Sequence, residues 1–263
     1  MKRKLPLILL CLLFLGMALF YGAQLYRQWR EYRVGEQVYK DLTQYAHPAA
    51  PTVPTALTPE ETHSGGAALP EDTENTPHTL VDFEGLRRIN PDVVAWICIE
   101  GTNINYPVVQ SPDNSRYLTL LFDGTRNDAG SIFMDYRNES TLSDRNTILY
   151  GHNMQNGTMF NQITNYKDQE FYDRHPAGLL VTPEGSYKIE FVAGYVTDMN
   201  SEAWKLEFAS DAEFSLWLTG AITQSTFTAV PDFEPGDRVV TLSTCNYEYS
   251  DARYVLVGIL KPN

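Results

Sequence analysis

The hydrophobic pattern begins with an uncharged run at residues 5–26, set between Lys2-Arg3-Lys4 and the cations Arg27, Arg30 and Arg33. Coiled as a helix, its 22 residues extend about 33 Å at ~1.5 Å per residue, enough to cross roughly 30 Å of bilayer hydrocarbon. The run exceeds the roughly 7 to 15 residues of a signal-peptide apolar region, and no small-residue cleavage site follows. It predicts a retained transmembrane anchor, with residues 1–4 as a cytoplasmic N-terminus. Residues 27–45 contain few helix breakers and set Tyr32, Val38, Leu42 and Tyr45 on one helical face, which predicts a juxtamembrane helix.

The pattern then lapses. Residues 46–79 are rich in Pro, Thr, Ala, Gly and Glu, a composition that buries too little apolar surface to offset the entropy of ordering. This stretch reads as a flexible tether, and its His47, His63 and His78 lack metal-ligand spacing. A short amphipathic helix is predicted over 80–89, stopped by Asn90-Pro91. Runs of β character follow at 94–99, 104–109, 131–134, 146–151, 178–182, 187–196, 238–245 and 253–261, with Gly, Asn, Asp and Pro between them. They point to a mainly β domain over 80–263, a barrel or a sandwich. Helical insertions are predicted near 158–165 and over 211–224, where Phe214, Leu218, Ala221 and Ile222 share a face. The last run is apolar on both faces, as a central barrel strand would be.

Charge narrows the partners. The formal net charge is −13, and residues 80–263 carry 13 Lys/Arg against 25 Asp/Glu. Such a domain repels phosphate backbones, so nucleic acid is excluded as an expected partner. Cys11, Cys98 and Cys245 are too few and too scattered for a disulfide framework, and no paired-cysteine motif suggests zinc. Cys11 falls in the predicted span, and Cys98, in Trp-Ile-Cys-Ile-Glu, reads as a buried strand residue that could still pair with Cys245.

Cys245 is the candidate for chemistry. Two β-rich runs joined by residues 246–252 predict a hairpin in which Cys245 ends one strand where Arg253 begins the next. A cation beside a thiol favours the nucleophilic thiolate. Cysteine nucleophiles work with a histidine, and His152 closes the run Thr147-Ile148-Leu149-Tyr150-Gly151 at another strand end. His175, before Pro176, reads as a surface histidine.

Thr241-Leu242-Ser243-Thr244-Cys245 followed by Arg253, with Tyr150-Gly151-His152-Asn153-Met154, resembles the sortases. The longer runs INPDVVAWICIEGTNINYPVVQSPDN, GSIFMDYRN, ILYGHNMQNGTMF and TLSTCNYEYSDARYVLVGIL are similar to class B, over about residues 80–262. The resemblance implies a closed eight-stranded β-barrel with N-terminal helices and a helix inserted before the strand that carries the cysteine. It implies Cys245 as nucleophile, His152 as general acid/base and Arg253 as third member, with no metal or other cofactor. Ser243 and Thr244 should line the groove, and Asn114 and Leu118 should contact a sorting peptide. Loops such as 224–233 are expected to shape the groove, while Asp123, Asp128, Asp135 and Asp144 read as loop and turn residues rather than calcium ligands.

The implied activity is that of a membrane-anchored transpeptidase on the outside of a Gram-positive-type cell. Its partners would be secreted proteins bearing a C-terminal sorting signal and an amine of a peptidoglycan precursor or cross-bridge. Pilin polymerisation onto a lysine and a catalytically silent binding domain are the alternatives. The tether is long and acidic for the class.

Overall fold

A computed structural model of the protein describes residues 5–48, 79–248 and 250–263. One continuous helix, α1 (Leu5–Leu42), runs through both the expected anchor and most of the expected juxtamembrane segment. By length and composition it is suited to crossing a membrane, and its apolar part is unburied among the described residues. Its C-terminal part docks on the β domain instead. Gly35 faces Ala129 and Asn127, where a Cβ would fit at an ordinary contact distance of 3.6 Å from each. Tyr39 and Leu42 are buried on the same face. The Tyr39 hydroxyl donates to the Gly130 carbonyl, its ring meets Tyr106 edge-on at 5.1 Å, and Asn127 Nδ2 donates to the Glu31 carbonyl at 2.9 Å.

Most of the expected tether lies outside the described residues. Its ends do not. Strand β1 (Ala46–Pro48) pairs antiparallel with β2 (Thr79–Val81), aligning Ala46 with Val81. The Asp82 N–H extends the clasp by donating to the Tyr45 carbonyl at 2.8 Å. Helix α2 (Phe83–Ile89) therefore starts later than the 80–89 expectation. Leu80 and Val81 are committed to the strand pair, and the Asp82 side chain caps the helix by accepting from the Gly85 N–H.

Eight strands then close a barrel. They are β3 (Val93–Cys98), β4 (Asn105–Gln110), β5 (Ile132–Met134), β6 (Asn146–Tyr150), β7 (Ala177–Thr182), β8 (Gly185–Thr197), β9 (Arg238–Cys245) and β10 (Arg253–Pro262). Their order around the barrel is β10-β8-β7-β3-β4-β5-β6-β9. Two neighbouring pairs, β4 with β5 and β6 with β9, are parallel. The helical insertion expected near 158–165 is a 3-10 turn at Asn161–Lys167, followed by the unpredicted helix α3 (Gln169–Arg174). The insertion before the cysteine strand is α4 (Asp211–Thr223), capped where the Ser210 hydroxyl accepts from the Glu213 N–H.

Packing explains the two-faced final strand. Tyr254, Leu256 and Leu260 of β10 join the barrel core with Trp96, Val108 and Leu242. The alternate residues Val255, Val257 and Ile259 lie in a second layer with Phe214, Leu218 and Ala221 of α4. The period-two alternation of a strand thus serves two apolar layers at once.

Candidate active site

The parallel pairing of β6 with β9 decides where the histidine falls. Tyr150 is level with Ser243, and the ladder continues as the Gly151 N–H donates to the Ser243 carbonyl at 3.1 Å. The Thr244 hydroxyl donates back to the Gly151 carbonyl at 2.7 Å. Two residues beyond the last register pair, His152 and Cys245 leave the same end of adjacent strands. On the other side of β9, Arg253 is the direct antiparallel partner of Cys245. Histidine, cysteine and arginine thus follow one another across β6, β9 and β10, where neighbouring strands lie about 4.8 Å apart.

Local contacts hold these ends in place. A side chain at Gly151 would collide with Ile132 and Phe160, both within 2.7 Å of a Cβ there. Glycine is what lets the chain pass that close before His152. Asn153 Nδ2 donates to the Cys245 carbonyl at 2.8 Å, fastening the histidine loop to the cysteine backbone. His152 Nε2 lies 2.8 Å from the Leu118 carbonyl. A carbonyl only accepts, so Nε2 carries the hydrogen in this bond.

The three side chains open into a cleft of about 230 Å³ lined also by Asn114, Leu118, Ser243 and Thr244. Every site residue singled out in the sequence therefore borders one space. Leu118 is 39% exposed, so it serves as cleft wall rather than core. The Ser243 hydroxyl is buried without a hydrogen-bond partner. Such an orphan costs free energy unless something fills it.

The family model described as Sortase domain matches residues 97–261. Over 181 residues the chain is 37% identical to sortase B of Listeria monocytogenes, covering 68% of this chain and 74% of that protein. Among solved structures, a Staphylococcus aureus sortase B–substrate complex superposes with a TM-score of 0.65 at 36% identity, over 68% of this chain and 84% of that one. Sortase B from Bacillus anthracis gives a TM-score of 0.71 at 29% identity, over 89% of this chain and all of the other. The chain belongs to the sortase family, class B.

This sortase is a cysteine transpeptidase, and its structure adds cleft residues that the sequence reading did not single out. Phe133, Tyr150 and Met199 complete the lining. Tyr150 sits on β6 next to the cysteine strand and Phe133 on β5 one strand further, so alternation could have flagged them, whereas Met199 comes from the β8–α4 connection and carries no pattern. The 224–233 stretch, expected to shape the groove, does not border this cleft. It is held elsewhere, with Phe227 stacked on Tyr172 at 4.2 Å and the Thr228 N–H donating to Gln169. His175 is half-buried rather than superficial, with Nδ1 at 2.9 Å from the Glu100 carbonyl.

Cys98 and Cys245 are both free thiols. Burial, with help from the negative charge of Glu100, pushes the Cys98 thiol up from its ordinary value. The four aspartates expected in turns behave differently from one another. Asp123 accepts from the Thr125 N–H, and Asp144 accepts from the Glu139 N–H, as turn carboxylates do. Asp135 is fully buried beside the cleft.

Proposed function

We propose that this sortase is anchored in the membrane by residues 5–26, with the catalytic domain outside the cell, and joins secreted proteins to the peptidoglycan. In this reading residues 1–4 remain cytoplasmic, residues 27–45 form the juxtamembrane part of α1, and residues 80–263 carry the catalysis. The observation that carries the reading is the rim order His152, Cys245, Arg253 over a single cleft. The Staphylococcus aureus relative solved as a substrate complex supports a peptide occupant for that cleft.

In the proposed reaction the Cys245 thiolate attacks a backbone carbonyl of the C-terminal sorting signal. The C–N bond breaks, His152 as imidazolium gives its proton to the departing amine, and a thioester to Cys245 remains. An amine of a peptidoglycan precursor or cross-bridge then attacks the thioester. Its proton passes to His152, the C–S bond breaks, and a new amide joins cargo to wall. With Nε2–H held by the Leu118 carbonyl, Nδ1 is the nitrogen left to exchange this proton.

Arg253 stabilises the oxygen that gains charge in the tetrahedral intermediate. Ser243, Thr244, Asn114 and Leu118 form the peptide-binding walls, and the orphan Ser243 hydroxyl gains a partner when a peptide carbonyl enters. The side chains present supply every proton transfer that the steps require.

The test is a pentapeptide library presented to the full chain in detergent micelles, with hydroxylamine as acceptor. Cleavage should proceed through an acyl-enzyme visible by intact mass, and Cys245→Ala should lose both adduct and turnover. Turnover by Cys245→Ala at the parent rate would remove the nucleophile from its role. If the wild-type chain cleaves no library peptide, the sorting reading itself is wrong.

A further inference from the structure

Just beyond the end of β5, Asp135 is a carboxylate for which the transpeptidation scheme has no use. Its side chain is 1% exposed, yet it gathers five donors. Oδ1 accepts from the Arg137 N–H at 3.0 Å and from Arg137 Nε at 2.9 Å. Oδ2 accepts from Arg137 Nη2 at 2.9 Å, from the Tyr150 hydroxyl at 2.9 Å and from Asn114 Nδ2 at 3.1 Å. A buried carboxylate stays charged only when its lone pairs are met in this way. Burial alone would raise its pKa, but the Arg137 side chain and N–H and the Tyr150 hydroxyl outweigh that and hold it below the usual carboxylate range.

Two of those donors belong to the catalytic cleft. Asn114 and Tyr150 line it, and both also line an adjoining cleft of about 290 Å³ that includes Asp135, Arg137 and Arg253. The Asn114 carbonyl oxygen in turn accepts from the Tyr136 N–H at 3.0 Å. The amide is therefore locked in one sense. A flip would set its oxygen against a carboxylate and its NH2 against a backbone N–H. Tyr150 is held at its other end by ring contacts, at 5.2 Å to Phe133 and 5.9 Å to Trp204.

We propose that Asp135 is a positioning residue for peptide recognition, acting through Asn114 and Tyr150. It fixes which hydrogen-bonding edge of Asn114 faces the cleft and where the Tyr150 ring stands as a wall. The inference rests on the reading that this cleft takes the sorting peptide. Asp135 touches neither the peptide nor Cys245, so its loss should weaken peptide capture and leave the thiol's own chemistry intact. A neutral amide in its place cannot accept all five donors, because one side of it must itself donate.

The experiment uses the full chain in detergent micelles and the peptide best cleaved by the wild type from the pentapeptide library. For Asp135→Asn we expect KM to rise on the order of tenfold, while kcat and the rate of Cys245 alkylation by iodoacetamide stay within about twofold. Pairing it with Asn114→Ala separates positioning from general damage. If Asp135 acts mainly through Asn114, the double variant should have nearly the KM of Asn114→Ala alone, whereas independent effects would multiply.

Should Asp135→Asn fail to fold, Arg137→Lys carries the same test. It keeps the charge but loses the planar fork, so it should raise KM about threefold with alkylation unchanged. An unchanged KM in a folded Asp135→Asn, or in Arg137→Lys where that variant must serve, overturns the proposal, as does multiplication of the Asp135 effect with those of both Asn114→Ala and Tyr150→Phe. Failure of the wild type to cleave any peptide overturns the sorting reading, and this proposal with it. Wild-type cleavage alongside an unaltered variant overturns this proposal alone.

Discussion

Cys98 and Cys245 are both half-buried and both end a strand, yet their surroundings pull them apart. Cys98 faces burial and the charge of Glu100, which disfavour its thiolate. Cys245 is paired in register with Arg253 and opens into the cleft. Limiting iodoacetamide at neutral pH should therefore label Cys245 faster than Cys98, on the order of tenfold. Peptide mapping reads this directly, and equal labelling would remove the electrostatic distinction. At this scale, Cys245 and His152 could be placed at strand ends because each sits where an apolar run stops, and Arg253 because it sits where one begins. Asp135 could not be read in this way. Its neighbours Asn114, Arg137 and Tyr150 come from three separate stretches, and nothing in a turn-like Asp-Tyr-Arg-Asn string distinguishes a buried carboxylate from a solvated one.

The eight strand positions were readable because period-two alternation and turn residues are local signals, whereas their pairing is not. The parallel match of β6 with β9, which sets His152 level with Cys245, depends on which distant strand fills the gap beside β6. The same limit applies to α1. Residues 31–42 could be read as helical and amphipathic, but the surface that receives them, from Tyr106 to Met159, is assembled only by the barrel. Tyr39 is the centre of that contact, 6% exposed with its hydroxyl bonded to the Gly130 carbonyl and Ser131. In a soluble fragment of residues 27–263, Tyr39→Ala should cost about 3 kcal/mol of stability, as large-to-small changes at buried aromatics do. Urea unfolding measures it, and a loss below about 0.5 kcal/mol would mean that α1 is only loosely applied to the barrel.

For the whole molecule, the docked helix would set the distance from membrane to active site in the anchored arrangement proposed above. Glu31, the first residue of α1 bonded to the barrel, follows the uncharged run by five residues, or about 7.5 Å of helix. The chain leaves at Pro48 and re-enters at Thr79 on paired strands, which hold Ala46 level with Val81. Removing residues 50–77 and bridging the gap with a short Gly-Ser turn should leave surface attachment of a cargo protein in cells within about twofold. Inserting a 12-residue Gly-Ser segment between Arg27 and Gln28 should reduce attachment several-fold, by releasing the barrel from its fixed stand-off. The opposite ranking of the two variants would give the spacing role to the Pro-rich stretch.

The clasp of Tyr45 with Asp82 also has a mechanical meaning. In the anchored arrangement proposed above, tension between anchor and cargo would run along α1 into the barrel. The β1–β2 pair ties Ala46 to Val81, so in that arrangement load would pass across the clasp. Lengthening the chain between Pro48 and Thr79 should then add no compliance to the linkage until the Tyr39 contact gives way.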